Sequence, residues 1–184
     1  MRFIACAFLG VLAFPASADE VLWNKLATQG DLVVFMRHTQ PAGGNPQHWD
    51  ESGNCKGESM LTDGGRAHAR RIGEAFAAHG IRPTVVSSPM CRCRDAARIA
   101  FGDTVLTEAS LREIASGDSD QAARFERAAL SLMTARRGKV PVVFVSHRPN
   151  IDRLTLELID EGDLLVGRLK TGGDIDVLGR IRVP

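Results

Sequence analysis

A short apolar run that ends in arginine and histidine, DLVVFMRHT at residues 31–39, constrains the fold of this chain more than any other stretch. Its apolar part, Leu32 to Met36, is typical of a buried strand in a parallel or mixed sheet, and Arg37 and His38 follow at the carboxyl end. In open α/β sheets, ligands bind beyond the carboxyl ends of the strands. A cation beside an imidazole at that point favours an anion, with phosphate as the leading candidate.

A second apolar run repeats this pattern, because residues 140–145 predict a buried strand that ends in Ser146 and His147. Strands and helices alternate along the rest of the chain, without repeats or low-complexity linkers. The predicted helices are 21–29, 62–78, a helix after Pro89, 119–136 and 150–159; the further strands are 84–87 and two closing strands within 164–183, joined at 171–174. Residues 104–114 predict irregular or short extended pieces. The alternation indicates an α/β fold.

The amino terminus has the pattern of a secretory signal peptide. Arg2 is followed by an apolar run from Phe3 to Phe14 that is too short to span a bilayer comfortably, and then by Ala16-Ser17-Ala18. We therefore predict a cleaved signal peptide at residues 1–18 and a single mature domain at 19–184, located in the periplasm or secreted. No second long apolar segment follows, which argues against a membrane-spanning protein.

Charge and cysteine content narrow the classes of partner. The formal net charge is +1 and falls to 0 when Arg2 is lost with the leader, and no run of lysine or arginine is present, so we predict no nucleic-acid partner.

Cys55, Cys91 and Cys93 remain in the mature chain. In an oxidising compartment they predict one disulfide, from Cys55 to Cys91 or Cys93. The Cys-x-Cys spacing is not a metal-site pattern without further ligands, and we predict no metal and no cofactor.

Residues 40–60 are rich in Pro, Gly, Asn and Ser and predict a long loop that leaves directly from His38. A loop of this length in a compact domain is usually functional. Trp49 within it has two interpretations: it stacks on a sugar or another flat leaving group, or it packs over the base of its own loop.

Five motifs occur in a specific order and spacing: MRHT at 36–39, LTDGGRAHARRIG at 61–73, VVSSPMCRCRDAA at 85–97, SLREIASGD at 110–118 and VVFVSHRPNI at 142–151. Together they resemble the histidine phosphatase superfamily, with its phosphoglycerate mutase-like fold. The resemblance covers almost all of the mature sequence and implies a three-layer α/β/α sandwich with a mostly parallel central sheet. The short length and the leader are most similar to the small exported branch, which includes phosphatases of lipopolysaccharide core heptose phosphates.

The resemblance implies a role for each residue at the two strand ends. His38 matches the family's nucleophile, a neutral imidazole that attacks phosphorus and forms a phosphohistidine. Neighbouring arginines would lower its pKa and keep it neutral. Arg37 and Arg92 match the arginines that bind the phosphoryl oxygens with their planar forks. His147 matches the second histidine, expected to be protonated and to donate to the same oxygens.

Three acidic residues are candidates for the general acid. Glu113 lies where the family often has the group that protonates the leaving-group oxygen, and Glu108 and Asp118 are nearby alternatives. Asn45 and Asn150 either reach the phosphate or the leaving group, or have the ordinary turn roles of asparagine.

Two departures from the family pattern bear on substrate choice: Thr39-Gln40 follows the nucleophile in place of Gly-Glu, and Arg148-Pro149-Asn150 replaces a glycine-rich turn. Together with the leader, the resemblance implies an exported, metal-independent phosphomonoesterase. Its expected partner is a small-molecule phosphomonoester, and the resemblance implies a cell-envelope phosphosugar. A phosphomutase, a protein phosphohistidine phosphatase and a non-catalytic phosphate-binding module remain as alternatives.

Overall fold

The structure is a computed structural model that describes residues 18–136, 138 and 140–184. The helices are α1 (Ala18–Thr28), α2 (Asp63–Ala78), α3 (Cys91–Phe101), α4 (Ser119–Ala135) and α5 (Arg148–Thr155), with a 3₁₀ turn at Ala109–Leu111. The strands are β1 (Leu32–Arg37), β2 (Pro41–Ala42), β3 (Met60–Leu61), β4 (Thr84–Ser87), β5 (Val105–Thr107), β6 (Val142–Ser146), β7 (Leu164–Leu169) and β8 (Ile175–Ile181). Apart from Ala18, the expected signal peptide lies outside the described residues.

Six strands form the central sheet in the order β5-β4-β6-β1-β7-β8. The first four are parallel, while β7 runs antiparallel to β1 and β8 antiparallel to β7. Strands β1 and β6 are neighbours in the middle of the sheet, and Arg37 pairs with Ser146 in their register. The residues after these two strands, His38 and His147, therefore emerge side by side at one edge of the sheet.

Alternation along the buried strands divides the core into two layers. In β1, Val34 and Met36 pack toward α1, α2 and α3, whereas Val33 and Phe35 pack toward α4 and α5. Because both faces are covered by helices, the strands are apolar throughout rather than alternating with polar residues. This is the expected three-layer α/β/α sandwich with a mostly parallel sheet.

Most helix boundaries follow local signals in the sequence. Thr62 is the N-cap of α2, and its hydroxyl accepts a hydrogen bond from the Gly65 amide at 2.9 Å. The last helix differs from its predicted range of 150–159: it begins at Arg148, with Pro149 in its first turn, and ends at Thr155 because Leu156 adopts a left-handed conformation with φ 59°. None of the helices in the described part of the chain is long and apolar enough to cross a bilayer.

The long loop after β1 is anchored to the start of α3. The short strands β2 and β3 pair at its two ends, and a disulfide joins Cys55 to Cys91, which settles the choice of partner. Cys93 is a free thiol, fully buried under the sheet edge. The Cys91 amide also donates to the Glu58 carboxylate at 2.7 Å. These links hold the loop beside Arg92, one residue further along α3.

Candidate active site

The hydrogen bonds of His38 define which of its nitrogens is free to react. Nδ1 lies 3.0 Å from the Thr39 carbonyl oxygen, and because a carbonyl only accepts, Nδ1 must carry the proton. Nε2 is therefore the nitrogen with the lone pair, and it accepts a hydrogen bond from Arg92 Nε at 3.2 Å. This is the tautomer that a nucleophilic histidine requires.

The surroundings of His38 also keep it neutral. Burial, with Arg92 and Arg37 in support, lowers the pKa of His38 to about 3, against an opposing contribution from the hydrogen bond to Thr39. At neutral pH the imidazole is uncharged, as the sequence predicts for a nucleophile. The main cause is desolvation, whereas the sequence reasoning had named only the arginines.

Arg92 contacts both histidines and Glu113 of the candidate site. It lies in the first turn of α3, is only 1% exposed, and its Nη2 lies 3.0 Å from His147 Nδ1 and 2.5 Å from Glu113 Oε2. The same nitrogen lies 3.0 Å from the Pro46 carbonyl oxygen in the long loop. Four separate segments of the chain, including the segment of His38, thus converge on one guanidinium group.

Arg37 and Arg92 each retain a buried donor without a partner among the described residues. Arg37 donates from Nη1 to the Ile159 carbonyl and from Nη2 to the Glu161 carboxylate, both at 3.2 Å, but its Nε has no acceptor. Nη1 of Arg92 is also buried and has no acceptor among the described residues. Because a buried charged donor without an acceptor is costly, such a pair indicates a place for an anion. The hydroxyls of Thr39 and Ser146 are buried without partners as well.

The contacts and the burial of His147 favour a neutral imidazole, and a protonated His147 that donates to the phosphoryl oxygens stays a prediction. Its Nδ1 faces an Arg92 N–H, so Nδ1 must accept, and its Nε2 lies 2.8 Å from the Ser88 hydroxyl. Burial, followed by the charges of Arg92, His38 and Arg37, lowers the pKa of His147 well below its usual value.

Glu113 is the acidic candidate that the fold brings to this cluster. Burial raises the pKa of Glu113 above that of an ordinary glutamate, although Arg92 and Arg37 oppose the rise. The two alternatives serve as helix caps instead: Glu108 accepts from the Ser110 amide at 3.2 Å, and Asp118 from the Gln121 amide at 2.8 Å. A carboxyl with a raised pKa beside the phosphoryl site suits a general acid.

Two buried amide side chains hold the segment around Glu113. Asn150 accepts from the Ile114 amide at 3.0 Å and donates to the Arg112 carbonyl at 3.0 Å. Gln121 donates to the Glu113 carbonyl at 2.6 Å and accepts from the Ala115 amide at 3.2 Å. The amide of Asn150 is thus engaged with backbone and holds this segment in place, and a contact with the phosphate or the leaving group stays a prediction.

Asn45 is exposed in the long loop, where its Oδ1 accepts from the Gln47 amide at 2.9 Å. That is an ordinary turn role for asparagine, and a contact of Asn45 with the substrate stays a prediction. The neighbouring Pro46 carbonyl is the group from this turn that reaches Arg92.

Sequence reasoning missed several residues that shape the site. Ser88, which follows β4 at the same sheet edge, contacts His147 and could have been found by the strand-end argument used for His38. Glu161 and Gln121 lie in a loop and a helix without any local pattern, and only the tertiary fold brings them to Arg37 and to the Glu113 segment. Among residues 18–136, 138 and 140–184, no group of three or more His, Cys, Asp or Glu is arranged to hold a metal ion.

The fold and the site define an α/β protein in which Arg37 and His38 lie at the carboxyl end of a central strand and Arg92 lies in the first turn of α3, an arrangement that suits the binding of a phosphoryl group. A family profile described as histidine phosphatase superfamily (branch 1) matches residues 33–129, more than half of the chain. The chain therefore belongs to the histidine phosphatase superfamily and is a phosphatase, a phosphoric monoester hydrolase.

Solved structures share the fold of this chain. The protein histidine phosphatase SixA complexed with tungstate has a TM-score of 0.60 at 15% identity, covering 82% of this chain and 96% of that one. The alpha-ribazole phosphatase from Shigella flexneri has a TM-score of 0.60 at 16% identity (83% and 95%). The mycobacterial glucosyl-3-phosphoglycerate phosphatase has a TM-score of 0.60 at 19% identity (80% and 95%). No curated protein matches by sequence.

Proposed function

We propose that this protein is an exported, metal-independent phosphomonoesterase that acts through a phosphohistidine on His38. The observation that carries the proposal is the combination of a lone pair on His38 Nε2 with unpartnered buried donors on Arg37 and Arg92. His38 Nε2 attacks phosphorus, and the free donors of Arg37 and Arg92 bind the negatively charged phosphoryl oxygens.

In the first half of the reaction, the phosphoryl oxygens accept hydrogen bonds from Arg37, Arg92 and His147. His38 Nε2 attacks phosphorus, a P–N bond forms, and the bond from phosphorus to the leaving oxygen breaks. Glu113 gives its proton to that oxygen, so the leaving group departs as a neutral alcohol. In the second half, ionised Glu113 takes a proton from water, the hydroxide oxygen bonds to phosphorus, and the P–N bond breaks to release phosphate and His38.

His147 would gain its proton on substrate binding. A phosphate dianion near Nδ1 favours the imidazolium, which opposes the burial that keeps His147 neutral without an anion. In donating to the phosphoryl oxygens, Arg92 would also release Nε2 of His38, to which its Nε now donates at 3.2 Å. Substrate binding thus frees the nucleophile and prepares the second histidine.

Location and substrate class rest on separate support. The leader-like residues 1–18 and the Cys55–Cys91 disulfide both suit an oxidising compartment, so we place the mature protein in the periplasm or outside the cell. Two proteins of similar fold are named as phosphatases of small molecules, alpha-ribazole phosphatase and glucosyl-3-phosphoglycerate phosphatase. A small-molecule phosphomonoester, such as a cell-envelope phosphosugar, is the proposed substrate.

A second candidate is removal of phosphate from protein phosphohistidine. The similarity in fold to a protein histidine phosphatase favours it. A phosphohistidine peptide, assayed beside an aryl phosphate, compares the two activities directly through their kcat/KM values.

The test is hydrolysis of 4-nitrophenyl phosphate by the mature protein in excess chelator, with His38→Ala and the control His79→Gln. His79 stacks on Trp23 near the end of α2 and precedes the amino end of β4, whereas the proposed site lies beyond the carboxyl ends of the strands. We expect turnover in chelator, a loss of roughly 10⁴-fold in His38→Ala and little change in His79→Gln. Rapid quenching should trap a phosphoryl group on the wild-type protein that is stable to alkali and labile to acid. Undiminished activity in His38→Ala, or dependence on added metal, would contradict the mechanism.

A further inference from the structure

Two adjoining cavities lie beside the general acid, and they share Trp49, Arg112 and Gln121 in their walls. The first has a volume of about 200 Å³ and is also lined by Glu113 and Met90. Because Glu113 contacts Arg92, this cavity adjoins the place where the leaving group must depart. A leaving group bonded to a phosphoryl group at His38 would extend into it.

The second cavity is cationic. Its volume is about 180 Å³, several times the space that a water molecule needs, and its lining contains Arg112 and Arg124 but no acidic side chain. Neither arginine forms an ion pair with any residue that the structure describes. Arg112 is half-buried and Arg124 is exposed, so an anion that enters this cavity meets two guanidinium groups and no acidic neighbour.

Arg112 is held in a way that leaves its donors free. Its guanidinium lies over the ring of the half-buried Trp49, with its central carbon 5.6 Å from the ring centroid. Stacking uses the face of the guanidinium and leaves the N–H groups at its edge for a carboxylate or phosphate. By contrast, Arg153 is paired with Glu126, so its charge is already matched within the protein.

We infer that the leaving group of the substrate carries a second anionic group, a carboxylate or a phosphate, which binds between Arg112 and Arg124 beside Trp49. The inference rests on the proposed function, because the phosphoryl group at His38 fixes the direction in which the leaving group extends. Asp118 also lines the first cavity, but its carboxylate caps α4, and the second anionic group is assigned to the second cavity.

The inference is tested with phenyl phosphates that differ only at the para position: unsubstituted, carboxylate, phosphate and the neutral carboxamide. The carboxamide resembles the carboxylate in size and is the more electron-withdrawing group, so leaving-group ability alone would favour it. We expect kcat/KM for the carboxylate or the bisphosphate to exceed that for the carboxamide by about tenfold at low salt, and the ratio to shrink as salt is added. The two anionic compounds distinguish a carboxylate site from a phosphate site.

Two variants test whether Arg124 causes the preference for an anionic leaving group. In Arg124→Gln the ratio of anionic to neutral kcat/KM should fall toward one, while Arg127→Gln, an exposed arginine of the same helix that lines neither cavity, should keep the wild-type ratio. Because the readout is a ratio, a general loss of folded protein cancels. Hydrolysis of all four compounds without preference for an anionic one would overturn this inference alone. Hydrolysis of none would overturn the proposed function and this inference with it.

Discussion

The two sides of the proposed active site are built differently. The phosphoryl side consists of His38, His147 and Arg92, which lie at the ends of two central strands and in the first turn of a helix. The leaving-group side consists of the loop that carries Trp49 and the irregular segment around Glu113. The first is positioned by the sheet itself, whereas the second is positioned by side chains that reach across the fold.

The contacts of the two sides show the same difference. His38 is joined to β6 by a backbone hydrogen bond from its amide to the Ser146 carbonyl at 3.1 Å, continuing the ladder of the sheet. The Glu113 segment depends on Gln121 and Asn150, and the loop of Trp49 depends on the Cys55–Cys91 disulfide. Changes on the phosphoryl side should therefore abolish chemistry, while changes on the other side should alter rate and selectivity.

The largest effect is expected at Arg92, the residue in contact with both histidines and Glu113. In Arg92→Lys the charge stays but the planar fork is lost, and we expect kcat/KM to fall by about 10³-fold because phosphoryl charge is no longer matched in the transition state. Arg98→Lys, an exposed arginine of the same helix, is the control and should remain close to wild type. Steady-state kinetics with thermal unfolding of both variants provide the measurement, and a loss below tenfold at Arg92 would contradict its central role.

Removal of the disulfide tests the anchoring of the loop. The bridge closes a separation of 36 residues, and in Cys55→Ser/Cys91→Ser the free energy of unfolding should fall by about 3–4 kcal/mol, since the unfolded chain is no longer constrained. Denaturant unfolding gives this value. Reductant should destabilise the wild type but leave the double variant unchanged. Equal sensitivity of both proteins would mean that the bridge does not form.

Glu113→Gln tests the general acid on the leaving-group side. We expect kcat for phenyl phosphate to fall by about 10²-fold, and by less for 4-nitrophenyl phosphate, whose leaving group needs less protonation. Glu113 must be protonated to donate, so kcat of the wild type should fall as pH rises through the pKa of Glu113. Because burial raises that pKa, the fall should occur above the pH range of an ordinary glutamate. The variant should not show this fall of kcat at high pH. A pH profile identical to that of the wild type would mean that a group other than Glu113 causes the fall.

The phosphoryl side was predictable from sequence for a physical reason. The two apolar runs before His38 and His147 indicate buried strands, and parallel neighbouring strands end at the same edge, so local patterns place both histidines. The charge of His147 was not predictable in the same way. Its proton depends on complete burial and on the approach of Arg92, which only the packed structure determines.

The leaving-group side was predictable only in outline. The composition of residues 40–60 indicates a loop but not its course, and the choice between Cys91 and Cys93 depended on where that loop lies against α3. For Asn150, the sequence left open a contact with the phosphate or the leaving group and an ordinary turn role, whereas its buried amide holds the Glu113 segment. Contacts between side chain and backbone across 36 residues leave no local signal in the sequence.

The smallest effect is expected at Gln121, which positions the acid without touching substrate. Gln121→Ala removes the bonds to the Glu113 carbonyl and the Ala115 amide, so the acid is held less accurately and kcat for phenyl phosphate should fall by about tenfold. The loss should again be smaller for 4-nitrophenyl phosphate, because poor positioning of an acid matters most when the leaving group needs its proton. Thr155→Ala is the matched control: it removes a buried hydrogen bond to the Ile151 carbonyl at the far end of α5, and should lower stability without any dependence on the leaving group. Equal losses on both substrates in Gln121→Ala would reduce its role to general stability and would weaken the division between the two sides of the site.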